Sequence, residues 1–424
     1  MTAREEFGSY IVYEQLGVGG MARVHVAESR NLRKRVALKR LLAHAADDPE
    51  LVKSFIHEAK LVGNLKHANV AQTYDFGKVG ETYYIAMEFV PGPTVGQLIR
   101  QCKATVGIVP FPITLNILCQ VCDALAYAHN LKDEKGKSLG LIHRDVSPPN
   151  IIISNTGTVK LIDFGVAKLA RSTMNTQVGT VKGKFSYMAP EYLNGQLDSR
   201  VDLWALGAVA HELLTNRSLF DAPDDVGVLE KVKRAPIPPP SRYNSDVPRD
   251  LDAVVLTALE RNPQHRWQSA EAMRTALANV ATELKTTVTN AQMMEWIEWA
   301  FTQKPGSSDE KTGVSQLIQL LEKPSKPGAK ANKAASSPTL KYDKKNRDRD
   351  VDATSPEKPR ARKRAISNPH GGVVIIDHSP RRPMLRRSTI GTRVVLWFFL
   401  IVLAGAAGFA VYRYGIPHAI TRSF

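Results

Sequence analysis

Between His143 and Gly165 the chain sets two polar clusters on either side of a tight turn, and no other segment limits its fold as much. His143-Arg144-Asp145-Val146-Ser147-Pro148-Pro149-Asn150 comes first, and Asp163-Phe164-Gly165 follows, with Asp163 thirteen residues beyond Asn150. The interval reads as a β-hairpin. Ile151–Ser154 and Val159–Ile162 are strand-like, and Asn155-Thr156-Gly157-Thr158 has the composition of a hairpin turn. From Tyr10 to about Lys285, strand-like and helix-like stretches alternate. Tyr10–Leu16, Val24–Glu28 and Arg35–Lys39 have the pattern of short strands, and Asp48–Leu65 has the apolar spacing of a helix. Beyond the hairpin the pattern is mostly helical. The expected fold is therefore α+β and two-lobed, a small strand-rich lobe followed by a larger helical one.

The formal charge of +16 is concentrated near one end. Residues Lys323 to Arg387 hold 18 Lys/Arg against 6 Asp/Glu, which leaves residues 1–322 close to neutral. The basicity thus belongs to a tether, and no nucleic-acid partner is expected. Residues 323–390 are rich in Pro, Lys, Arg, Ser and Asp, and bury too little to offset chain entropy, so a disordered linker is expected. Within it Val373–Ile376 is a lone apolar run. Val394–Tyr412 is 19 residues without a charge, bounded by Arg393 and Arg413, which is long enough to cross ~30 Å of hydrocarbon as a helix. Arg381, Arg382, Arg386, Arg387 and Arg393 precede it and only Arg413 and Arg422 follow. That asymmetry places residues 1–393 on the cytoplasmic side of the inner membrane, with the tail 413–424 outside.

Three cysteines, Cys102, Cys119 and Cys122, are too few for a disulfide framework. Cys119 and Cys122 fall at helical spacing with Leu118, Val121 and Leu125, and without a second pair they read as core rather than metal ligands. Met1–Tyr10 is short and polar, unlike a secretory leader. Thr287–Phe301 can form an amphipathic helix with Met293, Met294, Trp296, Ile297 and Phe301 on its apolar side, and Val314–Leu321 another. The segment 286–322 is expected to dock on the larger lobe.

Other motifs surround the hairpin in order. Leu16-Gly17-Val18-Gly19-Gly20-Met21-Ala22-Arg23-Val24 lies between two predicted strands, where glycines let a hairpin close over phosphates. Val36-Ala37-Leu38-Lys39 follows on the third strand, and Glu58, rather than Glu50, is the expected ion-pair partner of Lys39. Met87-Glu88-Phe89-Val90 ends an apolar strand ahead of Pro91-Gly92-Pro93. Ala189-Pro190-Glu191, Asp202-Leu203-Trp204-Ala205-Leu206-Gly207 and Arg266 complete the set.

In this combination the chain resembles the eukaryotic-like (Hanks-type) serine/threonine kinases of bacteria, over residues 10 to about 280. The resemblance implies a kinase domain over 10–285 that uses ATP and Mg2+. Leu16, Gly17, Gly19, Gly20 and Val24 would cover the nucleotide, Lys39, paired with Glu58, would reach its α- and β-phosphates, and Glu88 and Val90 would meet the adenine through main chain. Asp145 would be the catalytic aspartate, with Asn150 and Asp163 as magnesium ligands. Glu191 would pair with Arg266, and Asp202 would cap the catalytic loop from beneath. The substrates would be protein hydroxyls, including the chain's own, with Ser172, Thr173, Thr176 and Thr180 available between Asp163 and Glu191.

Two departures from the family pattern bear on chemistry. Ser147 stands where a lysine is usual, and Lys184 stands where a threonine is expected. In the family those two residues are hydrogen-bonded neighbours, so an exchange of roles is expected, with Lys184 supplying the ammonium and Ser147 the hydroxyl. The alternative is a pseudokinase scaffold that binds ATP with little turnover. The basic linker suits an anionic lipid surface, and Ala404 with Gly408 forms a small-xxx-small pair through which two copies could associate as a homodimer.

Overall fold

The computed structural model describes residues 4–164, 184–195, 197–305 and 313–322. The small lobe is a six-stranded antiparallel sheet in the order β1-β2-β3-β4-β6-β5. Its strands are β1 (Glu5–Phe7), β2 (Tyr10–Val18), β3 (Ala22–Ser29), β4 (Lys34–Leu41), β5 (Thr73–Val79) and β6 (Thr82–Glu88). Tyr10 and Val12 on β2, Val36 and Leu38 on β4 and Ala86 on β6 bury one side of the sheet together, the two-residue period of a half-covered strand. The three predicted strands are present and longer than the sequence suggested. β1 is an addition: Phe7 is buried, and Glu5 is held by the Arg40 guanidinium at 2.6 and 3.1 Å.

Two helices follow β4, the single turn α1 (Ala43–Ala46) and α2 (Pro49–Val62). Asp48 caps α2 by accepting from the N–H groups of Glu50 and Leu51, and Pro49 occupies its first turn. Leu51, Phe55, Glu58, Ala59 and Val62 are its buried residues. A carboxylate therefore sits on the helix's apolar stripe, facing the sheet.

The large lobe begins with α3 (Val95–Ala104), started by a Thr94/Gln97 capping box, and α4 (Phe111–His129). It continues through the hairpin β7 (Ile151–Ile153) and β8 (Val159–Leu161), then α5 (Arg200–Thr215), α6 (Asp225–Arg234), α7 (Arg249–Ala258) and α8 (Ala270–Glu283). α4 is long and apolar enough to cross a membrane, but it lies in the large-lobe core. Cys102 and Cys122 are buried in that core and Cys119 is half-buried. Burial pushes their thiols up, to about 12 for Cys102 and about 11 for Cys119, so packing is their role.

Two further helices, α9 (Asn290–Thr302) and α10 (Gly313–Glu322), dock on this lobe. Met293, Met294, Trp296 and Ile297 are buried as expected, whereas Phe301 is 41% exposed and lies off the packed side. Gln101 on α3 donates to the carbonyls of Ala300 and Gln303, and Trp296 Nε1 donates to Gly313 O at 2.8 Å. The linker 323–390, the apolar span 394–412 and the tail 413–424 lie outside the described residues.

Candidate active site

Three charged side chains from three elements converge between the lobes. Lys39 is on β4, buried, with Nζ 3.2 Å from Glu58 Oε1 on α2 and 3.0 Å from Asp163 Oδ1 beyond β8. Burial disfavours its ammonium, but the two carboxylates outweigh that and hold Lys39 above the ordinary lysine value. Glu50, the rejected partner, lies at the exposed start of α2 and is 72% exposed.

The loop from His143 to Asn150 is fixed from below by one carboxylate. Asp202, in the first turn of α5, accepts from the N–H of His143 and the N–H of Arg144, both at 2.8 Å, and lies 2.8 Å from His129 Nε2. Burial opposes the Asp202 carboxylate, and His129 together with these N–H groups outweighs it, holding the group below the usual carboxylate range. Arg144 has φ +65° and Asp163 φ +56°. Left-handed backbone at residues other than glycine costs of order 1–3 kcal/mol each and persists where the surroundings over-determine it. His143 serves as a strut: Nδ1 accepts from the Asp145 N–H at 3.2 Å, Nε2 donates to Ile162 O at 3.0 Å, and the ring packs on Phe164 at 4.5 Å.

Asp145 is held through its main chain, whose carbonyl accepts from Asn150 Nδ2 at 2.9 Å and from Ser147 Oγ at 3.3 Å. Ile162 N–H donates to Asn150 O at 3.0 Å, closing the open end of the β7–β8 hairpin. Asn150 and Asp163 therefore flank one hairpin and are set by its geometry. Arg144 Nε is buried with no hydrogen-bond partner among the described residues.

Above the cleft, Leu16 and Val18 are exposed and Val24 is half-buried. Gly19 N–H donates to Ala22 O at 2.8 Å, so the glycine-rich segment is a hairpin turn. Gly17, Gly19 and Gly20 all lie outside the left-handed region, and a methyl group on Gly17 would meet nothing within 4 Å. At the segment joining the lobes, Glu88 Oε2 accepts from Lys160 Nζ at 2.9 Å and from the Gln72 N–H at 3.1 Å. The Glu88 N–H donates to Gln72 O at 2.7 Å, so its side chain and main-chain N–H are both tied to neighbours. Val90, two residues on, is buried. The chain then passes directly over β7: Gly92 has φ +145°, and a Cβ there would fall 2.0 Å from Ile153 O.

Glu191 and Arg266 form the expected pair, bidentate at 2.6 and 3.1 Å and buried, with Arg266 also donating to Arg200 O at 2.8 Å. Lys184 opens a short 3-10 turn, Lys184–Tyr187. Its side chain, Gly165, and Ser172, Thr173, Thr176 and Thr180 lie outside the described residues. Sequence reasoning missed His129 and Lys160. Each acts on a residue far away in the chain, and no local motif marks it.

The chain is similar to known proteins over the part that carries this site. The family model described as "Protein kinase domain" matches residues 10–277. The chain is 35% identical over 283 residues to the tyrosine-protein kinase MasK of Myxococcus xanthus, covering 66% of this chain and 44% of that protein. It is 38% identical over 278 residues to the serine/threonine-protein kinase PknB of Mycobacterium leprae, covering 64% and 43%. With the serine/threonine-protein kinase PrkC of Bacillus subtilis the figures are 36% over 267 residues, 63% and 39%. The match thus spans less than half the length of these relatives. Among solved structures, the kinase domain of PknI from Mycobacterium tuberculosis superimposes with a TM-score of 0.51 at 26% identity, over 66% of this chain and 98% of that one.

Proposed function

The chain belongs to the protein kinase family, and from that premise we propose that it transfers the γ-phosphoryl group of Mg-ATP to serine and threonine hydroxyls of proteins, its own included. The observation that carries the reading is the convergence of Lys39, Glu58 and Asp163 above a loop that Asp202 fastens by two N–H groups. In a kinase the lysine meets the α- and β-phosphates, and little covalent chemistry is left to the protein beyond positioning and charge stabilisation.

The donor set fits magnesium. Asn150 commits its Nδ2 to the Asp145 carbonyl, so its oxygen is the group turned to a cation, and Asp163 carries a second oxygen beyond the one on Lys39. Among the described residues no three His, Cys, Asp or Glu side chains gather into a metal site. Two hard oxygen donors suit an ion that keeps waters and phosphate oxygens in its shell. When bound, the ion neutralises charge developing on the phosphates. Asp145 is assigned to orient the attacking hydroxyl and accept its proton. Glu88 and Val90 are assigned to the adenine through main chain. Gly17, Gly19 and Gly20 are small so that phosphates can approach the backbone, which accounts for glycines the turn itself does not need.

Serine/threonine preference rests on PknB and PrkC, while MasK is named a tyrosine kinase. Transfer of labelled phosphate by the full chain and by Asp145→Asn, followed by phosphoamino-acid analysis, tests both points. Label on Ser and Thr that is lost in the variant is expected. Label on Tyr overturns the preference, and ATP binding without transfer points to the scaffold reading, with Ser147 as its cause.

The exchange of Ser147 and Lys184 is part of the proposal. Lys184→Ala should lower turnover by about 10²-fold or more with ATP binding unchanged, and Ser147→Lys combined with Lys184→Thr should recover much of it. Full turnover in Lys184→Ala would refute the exchange. Arg144 is assigned to brace a phosphate on Thr176 or Thr180, a role that suits its unpartnered Nε. The span 394–412 is proposed as a membrane anchor, the linker 323–390 as a contact for anionic lipid, and Ala404 with Gly408 as a self-association face.

A further inference from the structure

The family model ends at residue 277, and α9 begins at Asn290. That added helix meets the tip of the β7–β8 hairpin. Gly157, in the turn, has φ +75°, and a Cβ on it would fall 2.3 Å from Asn290 O, so the two backbones touch. Beside this contact lies a chain of amides. Gln120 on α4 accepts through Oε1 from Val159 N–H and Asn69 Nδ2, each at 2.9 Å. Its Nε2 donates to Asn116 Oδ1 at 2.7 Å, Gly157 O at 3.2 Å and Asn290 Oδ1 at 3.3 Å. Asn116 Nδ2 in turn donates to Val288 O at 2.7 Å, just ahead of the α9 cap at Thr289. Asn69 Nδ2 also donates to Val159 O at 2.9 Å, so both polar groups of one β8 residue belong to the network.

We propose that α9 is a positioning element for phosphoryl transfer: Asn290, acting through Gln120 and the Gly157 contact, holds the hairpin whose open end carries Asn150 and Asp163. The hairpin is three residues per strand. Displacement at its turn is therefore carried to its open end, where the hydrogen bond from Ile162 N–H to Asn150 O ties together the two segments that carry the oxygen donors. α9 is itself fixed by Gln101 on α3 and by α10, the last described element before the linker.

This inference rests on the proposed use of magnesium at Asn150 and Asp163, and its test separates the two. In the full chain, Asn290→Ala removes an acceptor for Gln120, and Asn290→Asp keeps one. The first readout is the Mg2+ concentration for half-maximal turnover, at ATP concentrations that saturate each variant. Asn290→Ala should raise it about three- to tenfold and Asn290→Asp should restore it, with the thermal midpoint reported beside each value. The second readout is hydrogen exchange at the amides of Val159 and Leu161, which needs no turnover. Asn290→Ala should speed it at least tenfold and Asn290→Asp should return it toward the native rate. A wild-type chain that transfers no phosphate refutes the proposed kinase activity alone, and exchange still decides the brace. Unchanged exchange in Asn290→Ala overturns the brace, as does an unchanged Mg2+ requirement in an active enzyme.

Discussion

Asp202 illustrates how one buried carboxylate can set the shape of a loop. Its pKa is depressed in the folded state, so its stabilisation is complete above the unfolded-state value near ~4 and is lost as pH falls through the lower folded value. Asp202→Asn, which sets an NH2 group against N–H donors, should cost about 2 kcal/mol or more at pH 7. The gap between wild type and variant should narrow below about pH 4, as urea unfolding across that range would report. A gap independent of pH would contradict the depressed carboxylate. Arg266→Ala leaves Glu191 buried without its partner and should destabilise by ~3–5 kcal/mol, measurable as a lower urea midpoint. At this scale the sequence was readable where residue type and spacing prescribe a pairing, as for Lys39 with Glu58. It was opaque where a role arises from contact. His129 meets Asp202 across 73 positions and Lys160 meets Glu88 across 72, and nothing in either neighbourhood announces the partner.

Among elements, helices with caps and apolar stripes were the most legible. α2 starts at the Asp48-Pro49 signal and ends against Gly63, three residues short of the predicted Leu65 end. Strands with weak alternation were not: β1 is three residues long with only Phe7 buried, and β5 carries a register shift between Thr73 and Asp75 and an exposed Phe76. Such strands owe their existence to neighbours that supply hydrogen-bond edges. α9 was legible as a helix, but its seat was not, because the amides that receive it are scattered over residues 69, 116 and 120. Trp296→Ala removes a fully buried indole and its hydrogen bond to Gly313, and should cost ~3–5 kcal/mol in urea unfolding of the full chain. A loss below about 1 kcal/mol would mean that α9 is only loosely seated.

On the scale of the molecule, among the described residues ion pairs cross between the lobes at two places, Lys39 with Asp163 and Lys160 with Glu88. The cleft is thus fastened at its mouth and beside the connecting segment, and the two lobes share the load of holding Asp163. The charge division along the chain bears on where this body works. If the apolar span 394–412 anchors it, the full chain should remain in the membrane pellet after alkaline carbonate extraction, and a chain ending at 390 should not. Release of the full chain by carbonate would refute the anchor. The chain ending at 390 should still bind vesicles containing phosphatidylserine at low salt, more weakly as salt rises, at about 1 kcal/mol per basic residue near the surface.

The seating of α9 on α3 and α4, with α10 packed on α9, has a practical corollary for anyone preparing the protein. A fragment cut where the family resemblance stops would uncover the apolar bed of Met293, Trp296 and Ile297. An exposed patch of that kind, once it reaches several hundred Å², promotes self-association. Poor solubility of such a fragment would then reflect where it was cut, and a fragment carried through Glu322 would keep the bed covered.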